Sequence, residues 1–131
     1  MQTPARVLVV EDYDDARIMY CHFLREHGFE VVEAVDGLQA LAIASAFSPD
    51  VIVLDISLPR MDGFTVLRRL RADARSAQTP VVTISASAVS GYEQEALQAG
   101  ANEVLHKPCM PEDLLAAVRR VLAARTSGTP S

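Results

Sequence analysis

The sequence predicts a three-layer α/β fold: a parallel sheet of five strands with five helices on its two faces. Three observations lead there. Short apolar runs alternate with helical patterns five times along the chain. Three of those runs, at 7–10, 51–54 and 81–84, are nearly continuous in Val, Ile and Leu, as strands covered on both faces are. The 131 residues are enough for one such domain and one core.

The strands are expected at Arg6 to Val10, Glu30 to Ala34, Val51 to Leu54, Val81 to Ile84 and Asn102 to Leu105. In the first helix Ala16, Met19, Tyr20, Phe23 and Leu24 fall at i, i+3, i+4, i+7 and i+8, one apolar face. Gly28 supplies its C-cap. Leu38, Leu41, Ala42 and Ser45 give a weaker face in the second helix. Phe64, Leu67, Leu70 and Arg71 give the third, with Arg68 and Arg69 turned outward. Ser90 and Glu93 have the spacing of a capping box for a short fourth helix that contains Gly91. Pro111, Glu112 and Asp113 open the fifth. Its core face is Leu114, Leu115, Val118, Val121 and Leu122. Parallel strands need right-handed helical crossovers, and the expected winding is the flavodoxin-like order 2-1-3-4-5. That order sets the ends of strands one and three side by side at the switch point, where ligands bind in such sheets. Residues 1–125 are read as one domain, and the small, polar segment 126–131 as a frayed end or the start of a linker.

Composition narrows the function. The net charge of -5 argues against direct nucleic-acid binding, which needs a basic patch. Cys21 and Cys109 form neither a disulfide framework nor a CxxC metal spacing, so a reduced, cytoplasmic setting is expected. The apolar run after Arg6 is broken by Glu11, too short for a signal peptide or a membrane span. His22 and His27 are five apart and share no helix face, so they are not read as a metal pair. No GxxxxGK[ST] loop is present for a nucleotide.

The residues that close the strands carry the chemistry. Glu11 and Asp12 follow the first, Asp55 the third, and Lys107 the fifth. On the expected winding Glu11, Asp12 and Asp55 are neighbours at one sheet edge. Clustered carboxylates repel and raise one another's pKa, and a divalent cation relieves this. Asp14 and Asp15 are read instead as helix-start acids.

Four segments occur in order: Val-Val-Glu-Asp, Asp-Ile-Ser-Leu-Pro-Arg-Met-Asp-Gly, Pro-Val-Val-Thr-Ile-Ser-Ala and Leu-His-Lys-Pro. From Arg6 to about Ala124 the chain resembles the receiver domains of bacterial two-component response regulators. The resemblance implies that Asp55 accepts a phosphoryl group from a histidine kinase or a histidine phosphotransfer protein. It implies Mg²⁺ held by Glu11, Asp12, Asp55 and the backbone carbonyl of Ser57. It implies that Lys107, aimed by a cis bond to Pro108, reaches Asp55 and then the phosphoryl group. Ser85 is the implied switch hydroxyl, preferred over Thr83 because it directly precedes Ala86. The domain would catalyse its own phosphorylation and dephosphorylation, and so switch a surface that a downstream protein or output domain reads.

One position departs from the family pattern. Three residues before the lysine, where a Tyr or Phe is usual, stands Val104. A valine has no ring to swing, so the resemblance does not extend to the aromatic part of the switch. His106 is expected on the opposite strand face and is no substitute. Val104 keeps open a second reading, a receiver-like interaction module that works without phosphorylation. A third, an aspartyl-nucleophile hydrolase, would carry Asp-x-Asp on its first strand. Here that strand ends Glu11-Asp12-Tyr13-Asp14, and no sequence is left for a substrate cap.

Overall fold

Three runs rich in β-branched and leucine side chains form the centre of a five-stranded sheet. A computed structural model describes residues 3–58, 61–86 and 91–126. The strands are β1 (Arg6–Val10), β2 (Glu30–Ala34), β3 (Val51–Asp55), β4 (Val81–Ser85) and β5 (Glu103–His106). All pair in parallel, in the order β2-β1-β3-β4-β5. The helices are α1 (Asp14–Glu26), α2 (Gly37–Phe47), α3 (Gly63–Ala72), α4 (Tyr92–Ala99) and α5 (Pro111–Thr126). The predicted fold class and winding are therefore those observed. β5 lies one residue later than expected, and β3 and β4 each run one residue further.

Strand side chains alternate between the faces, and each face has its own core. Val7, Val9, Val51, Val53, Val82 and Ile84 pack with α1 and α5. Leu8, Val10, Ile52, Leu54 and Val81 pack with α2, α3 and α4.

Two helices are rotated from the faces their periodicity gave. In α1 the buried residues are Tyr20, Cys21 and Leu24, and Met19 is exposed. Cys21 is small enough to sit in the cluster that holds Val31 of β2. In α2 the buried residues are Gly37, Ala40 and Ala44, while Leu38 is 57% exposed. α2 is apolar around most of its circumference, so hydropathy gives it no direction. Size does: the glycine-alanine stripe lets the helix approach α3, and a Cβ at Gly37 would stand 2.6 Å from Val66 Cγ2.

α3 buries Phe64, Val66, Leu67 and Leu70, with Arg68 and Arg69 exposed as expected. α5 buries Leu114, Leu115, Ala117, Val118 and Val121, and Leu122 packs at the margin. Gly91 is not inside α4 but at its N-cap, with φ 92°, a left-handed conformation that glycine adopts at little cost. Ser90, the expected partner of Glu93, lies outside the described residues, as do 127–131 of the polar tail. Among the described residues no helix is long and apolar enough to cross a membrane.

Candidate functional site

Parallel pairing fixes which residues meet at the C-terminal sheet edge. Val10 pairs with Leu54, so Glu11 and Asp55 are the next step along both strands. Ser85 pairs with His106, and Lys107 follows at once. The Lys107 amide donates to the Ser85 carbonyl at 2.8 Å. The Lys107-Pro108 bond is cis. Glu11, Asp12 and Asp55 each offer a carboxylate oxygen within 4.8 Å of the others. Lys107 Nζ lies 3.1 Å from Asp55 Oδ2 and 3.3 Å from Glu11 Oε1.

Local turns hold these groups. The Ser57 amide donates to Asp55 Oδ1 at 2.9 Å, an Asx turn at the strand end. The Gly63 amide donates to the Ile56 carbonyl at 2.8 Å, and Asp62 caps α3 by accepting from the Thr65 amide. A Cβ on Gly63 would stand 2.5 Å from Ile56 Cα, so the approach of α3 to this turn needs glycine. Just past β1, the Glu11 amide donates to the Ala34 carbonyl at 3.1 Å.

Glu11 and Asp55 are each 2% exposed, whereas Asp12 faces solvent. Burial pushes the Glu11 carboxyl up to about 7, with Asp55 adding to it; the Tyr13 amide and Lys107 pull the other way. Burial lowers the Lys107 pKa, but Asp55 and Glu11 outweigh it, and the ammonium is held above the ordinary lysine value. Glu11 Oε1 is within ion-pair distance of Lys107 yet, among the described residues, has no hydrogen-bond partner. Among the described residues, one ammonium against three carboxylates leaves net negative charge. A buried carboxylate oxygen without a hydrogen bond, beside an exposed carboxylate, fits a hard divalent cation that takes oxygen ligands.

The structure thus brings Glu11, Asp12, Asp55 and Lys107 together, with Ser57 in the turn after β3 and Ser85 at the end of β4. Ser85 is 3% exposed. Thr83 is fully buried further down β4, its hydroxyl donating to the Glu103 carbonyl at 3.2 Å. Val104 packs on the face that holds Tyr92 and Phe64, whose rings are 5.2 Å apart. The expectation for His106 is corrected. It stands two residues from Val104 and so shares its face, with Nε2 3.3 Å from Glu93 Oε1 of α4. Cys109 is buried, its thiol pushed up first by burial and then by Asp113, and its carbonyl accepts from the Tyr20 hydroxyl at 3.0 Å.

Two arginines are structural elements that sequence periodicity does not reveal. Arg17 bridges α1, β2 and the Glu11 carbonyl. Its spacing from Asp14 was visible; the partner on β2 was not. Arg71, placed on the core face of α3, is there as a polar clamp: it donates to the carbonyls of Ser76, Thr79 and Gly100.

Residues 7–119 match the family model described as response regulator receiver domain. The chain is 38% identical over 125 residues to the DNA-binding dual master transcriptional regulator RpaA of Synechocystis, covering 95% of this chain and 52% of that protein. It is 36% identical to the chemotaxis protein CheY of Bacillus subtilis, covering 89% of this chain and 97% of that protein. Among solved structures, the receiver domain of the sensor histidine kinase PA1611 from Pseudomonas aeruginosa superimposes with a TM-score of 0.84. It is 31% identical, covers 92% of this chain and 98% of that one, and has a magnesium ion coordinated in its active-site cleft. The chain therefore spans about half the length of the first of these relatives and nearly all of the others.

Proposed function

The chain belongs to the response regulator receiver domains, and from that premise we propose that Asp55 is its phosphoacceptor, charged by a phosphohistidine on a sensor kinase or phosphotransfer protein in the cytoplasm. The observation that carries this reading is the placement of Asp55 between one ammonium and two further carboxylates at a sheet edge.

An Asp55 oxygen attacks phosphorus, the P–N bond to the donor imidazole breaks, and an acyl phosphate forms. Phosphoryl transfer of this kind depends on positioning and on neutralised charge. Ser57 N–H on Oδ1 and Lys107 on Oδ2 orient both oxygens of Asp55. Lys107 then serves the phosphoryl oxygens as a point charge. Ser85, at the end of β4, offers its hydroxyl to the same group. Glu11, Asp12, Asp55 and the Ser57 carbonyl would hold Mg²⁺, which when bound neutralises the carboxylates and the incoming phosphoryl oxygens. Attack of water on phosphorus, with the Asp55 carboxylate leaving, returns inorganic phosphate and resets the domain.

The acyl phosphate biases a two-state equilibrium in the surface of α4 and β5, which a downstream protein or output domain reads. The test is intact-protein mass after incubation with Mg²⁺ and a small acyl-phosphate donor. One phosphoryl adduct, dependent on Mg²⁺ and absent in Asp55→Asn, is expected. A folded chain that binds Mg²⁺ but takes up no phosphoryl group, and that binds no beryllofluoride either, overturns the reading.

A further inference from the structure

Arg17 touches the site without reaching it. Its Nη1 donates to the Glu11 carbonyl at 3.1 Å, its Nη2 to Asp14 Oδ1 at 2.7 Å and its Nε to Glu33 Oε1 at 3.0 Å. One guanidinium thus ties together the end of β1, the first turn of α1 and a side chain on β2. Its side chain is only 12% exposed. The Glu11 residue is consequently fixed on both sides, its amide by the Ala34 carbonyl and its own carbonyl by Arg17. The peptide unit that follows carries Asp12. Rotation of that peptide would swing the Asp12 carboxylate away from Glu11 and Asp55. A planar fork with several donors restrains it in a way a lysine point charge does not.

We propose that Arg17 is a positioning residue for the divalent cation: through the Glu11 carbonyl it holds Glu11 and Asp12 in register with Asp55. Partners that orient metal ligands from behind typically contribute 10–100-fold in affinity. The charge of Arg17 itself is met by Asp14 and Glu33, so it acts through geometry and does not compete with the cation. This inference rests on the cation site proposed above.

Arg25 provides the control. It donates to Glu33 Oε2 at 3.2 Å and to the Val31 carbonyl at 3.0 Å, so it shares the Glu33 partner but leaves Glu11 alone. Mg²⁺ affinity is measured by calorimetry, with no phosphoryl donor present, for the natural chain, Arg17→Met, Arg17→Lys and Arg25→Met, alongside the thermal midpoint of each. Arg17→Met is expected to bind Mg²⁺ about tenfold more weakly, Arg17→Lys to fall between it and the natural chain, and Arg25→Met to stay within about twofold despite a lowered midpoint. At saturating Mg²⁺ the rate of adduct formation in Arg17→Met should return to within about threefold of natural. If Arg17→Met does not fold, an affinity loss of about threefold or more in Arg17→Lys decides the matter. Natural affinity in the folded Arg17 variants, or an equal loss in Arg25→Met, overturns the inference. If the natural chain binds Mg²⁺ but takes no phosphoryl group, the proposed function fails while the affinity comparison still stands.

Discussion

Lys107 Nζ stands 3.1 Å from Asp55 Oδ2 across a sequence separation of 52 residues. The same ammonium is 3.3 Å from Glu11 Oε1, so one flexible side chain is the cation for two buried carboxylates. Replacing it by Lys107→Met leaves both without their counter-charge. Stability in the absence of Mg²⁺ should fall by about 2 kcal/mol, read by urea denaturation. Adduct formation at Asp55 should slow by about a hundredfold, read by intact mass. A variant that accepts phosphoryl groups at the natural rate would remove Lys107 from the proposed mechanism.

Glu11 makes the metal-free chain sensitive to pH in a defined direction. Its carboxyl has an unfolded value of 4.5 and a folded value of about 7. Between those values the folded chain keeps a proton that the unfolded chain has released. The folded state therefore binds more protons, and stability falls as pH rises from about 4.5 to about 7. At about 1.4 kcal/mol per pKa unit the whole effect is a few kcal/mol at most. Glu11→Gln should remove this contribution, so the variant gains stability over the natural chain as pH is raised from about 5 to about 7.5. A difference between the two that does not change with pH would contradict the prediction. Added Mg²⁺ should restore stability to the natural chain at the upper pH, by binding the folded form.

Gly63 allows α3 to start directly against the turn that follows Asp55. Gly63→Ala places a methyl group 2.5 Å from Ile56 Cα and 2.8 Å from its carbonyl oxygen. The backbone has to move, at a cost of about 2–3 kcal/mol. The thermal midpoint should drop, and Mg²⁺ affinity with it, because the displaced turn also carries Ser57. An unchanged midpoint would show that the turn yields freely.

Arg71 holds the far end of α4. It donates to the Thr79 carbonyl at 2.6 Å and, through Nε and Nη2, to the Gly100 carbonyl at 3.1 and 2.8 Å. Arg71→Met strips charged donors from half-buried carbonyls and should cost about 2–4 kcal/mol in urea denaturation. Lysine should not rescue it, since one ammonium cannot span these acceptors. Gly100→Ala should destabilise as well: a Cβ there meets Arg71 Cγ at 2.8 Å, at a φ of 116°. Full stability of the methionine variant would mean that solvent replaces the clamp.

The order of amino acids already specifies the five strands, their winding and the strand-end positions of Glu11, Asp12, Asp55, Ser85 and Lys107. For β1, β3 and β4 it could do so because strands buried on both faces must be apolar almost throughout, so a polar residue at the end of such a run marks the sheet edge. Packing in three dimensions set which way α1 and α2 turn. Met19 and Leu38 are as apolar as the residues that bury, and the choice lay in how closely Cys21, Ala40 and Ala44 let each helix approach. It also decided that His106 joins Val104 on the α4 side. The Glu93 that meets it there is 13 residues distant in sequence. Arg17 and Arg71 follow the same logic. Periodicity records what repeats along one element, but the acceptors of these guanidinium groups come from strands and turns elsewhere, and only folding brings them within hydrogen-bond reach.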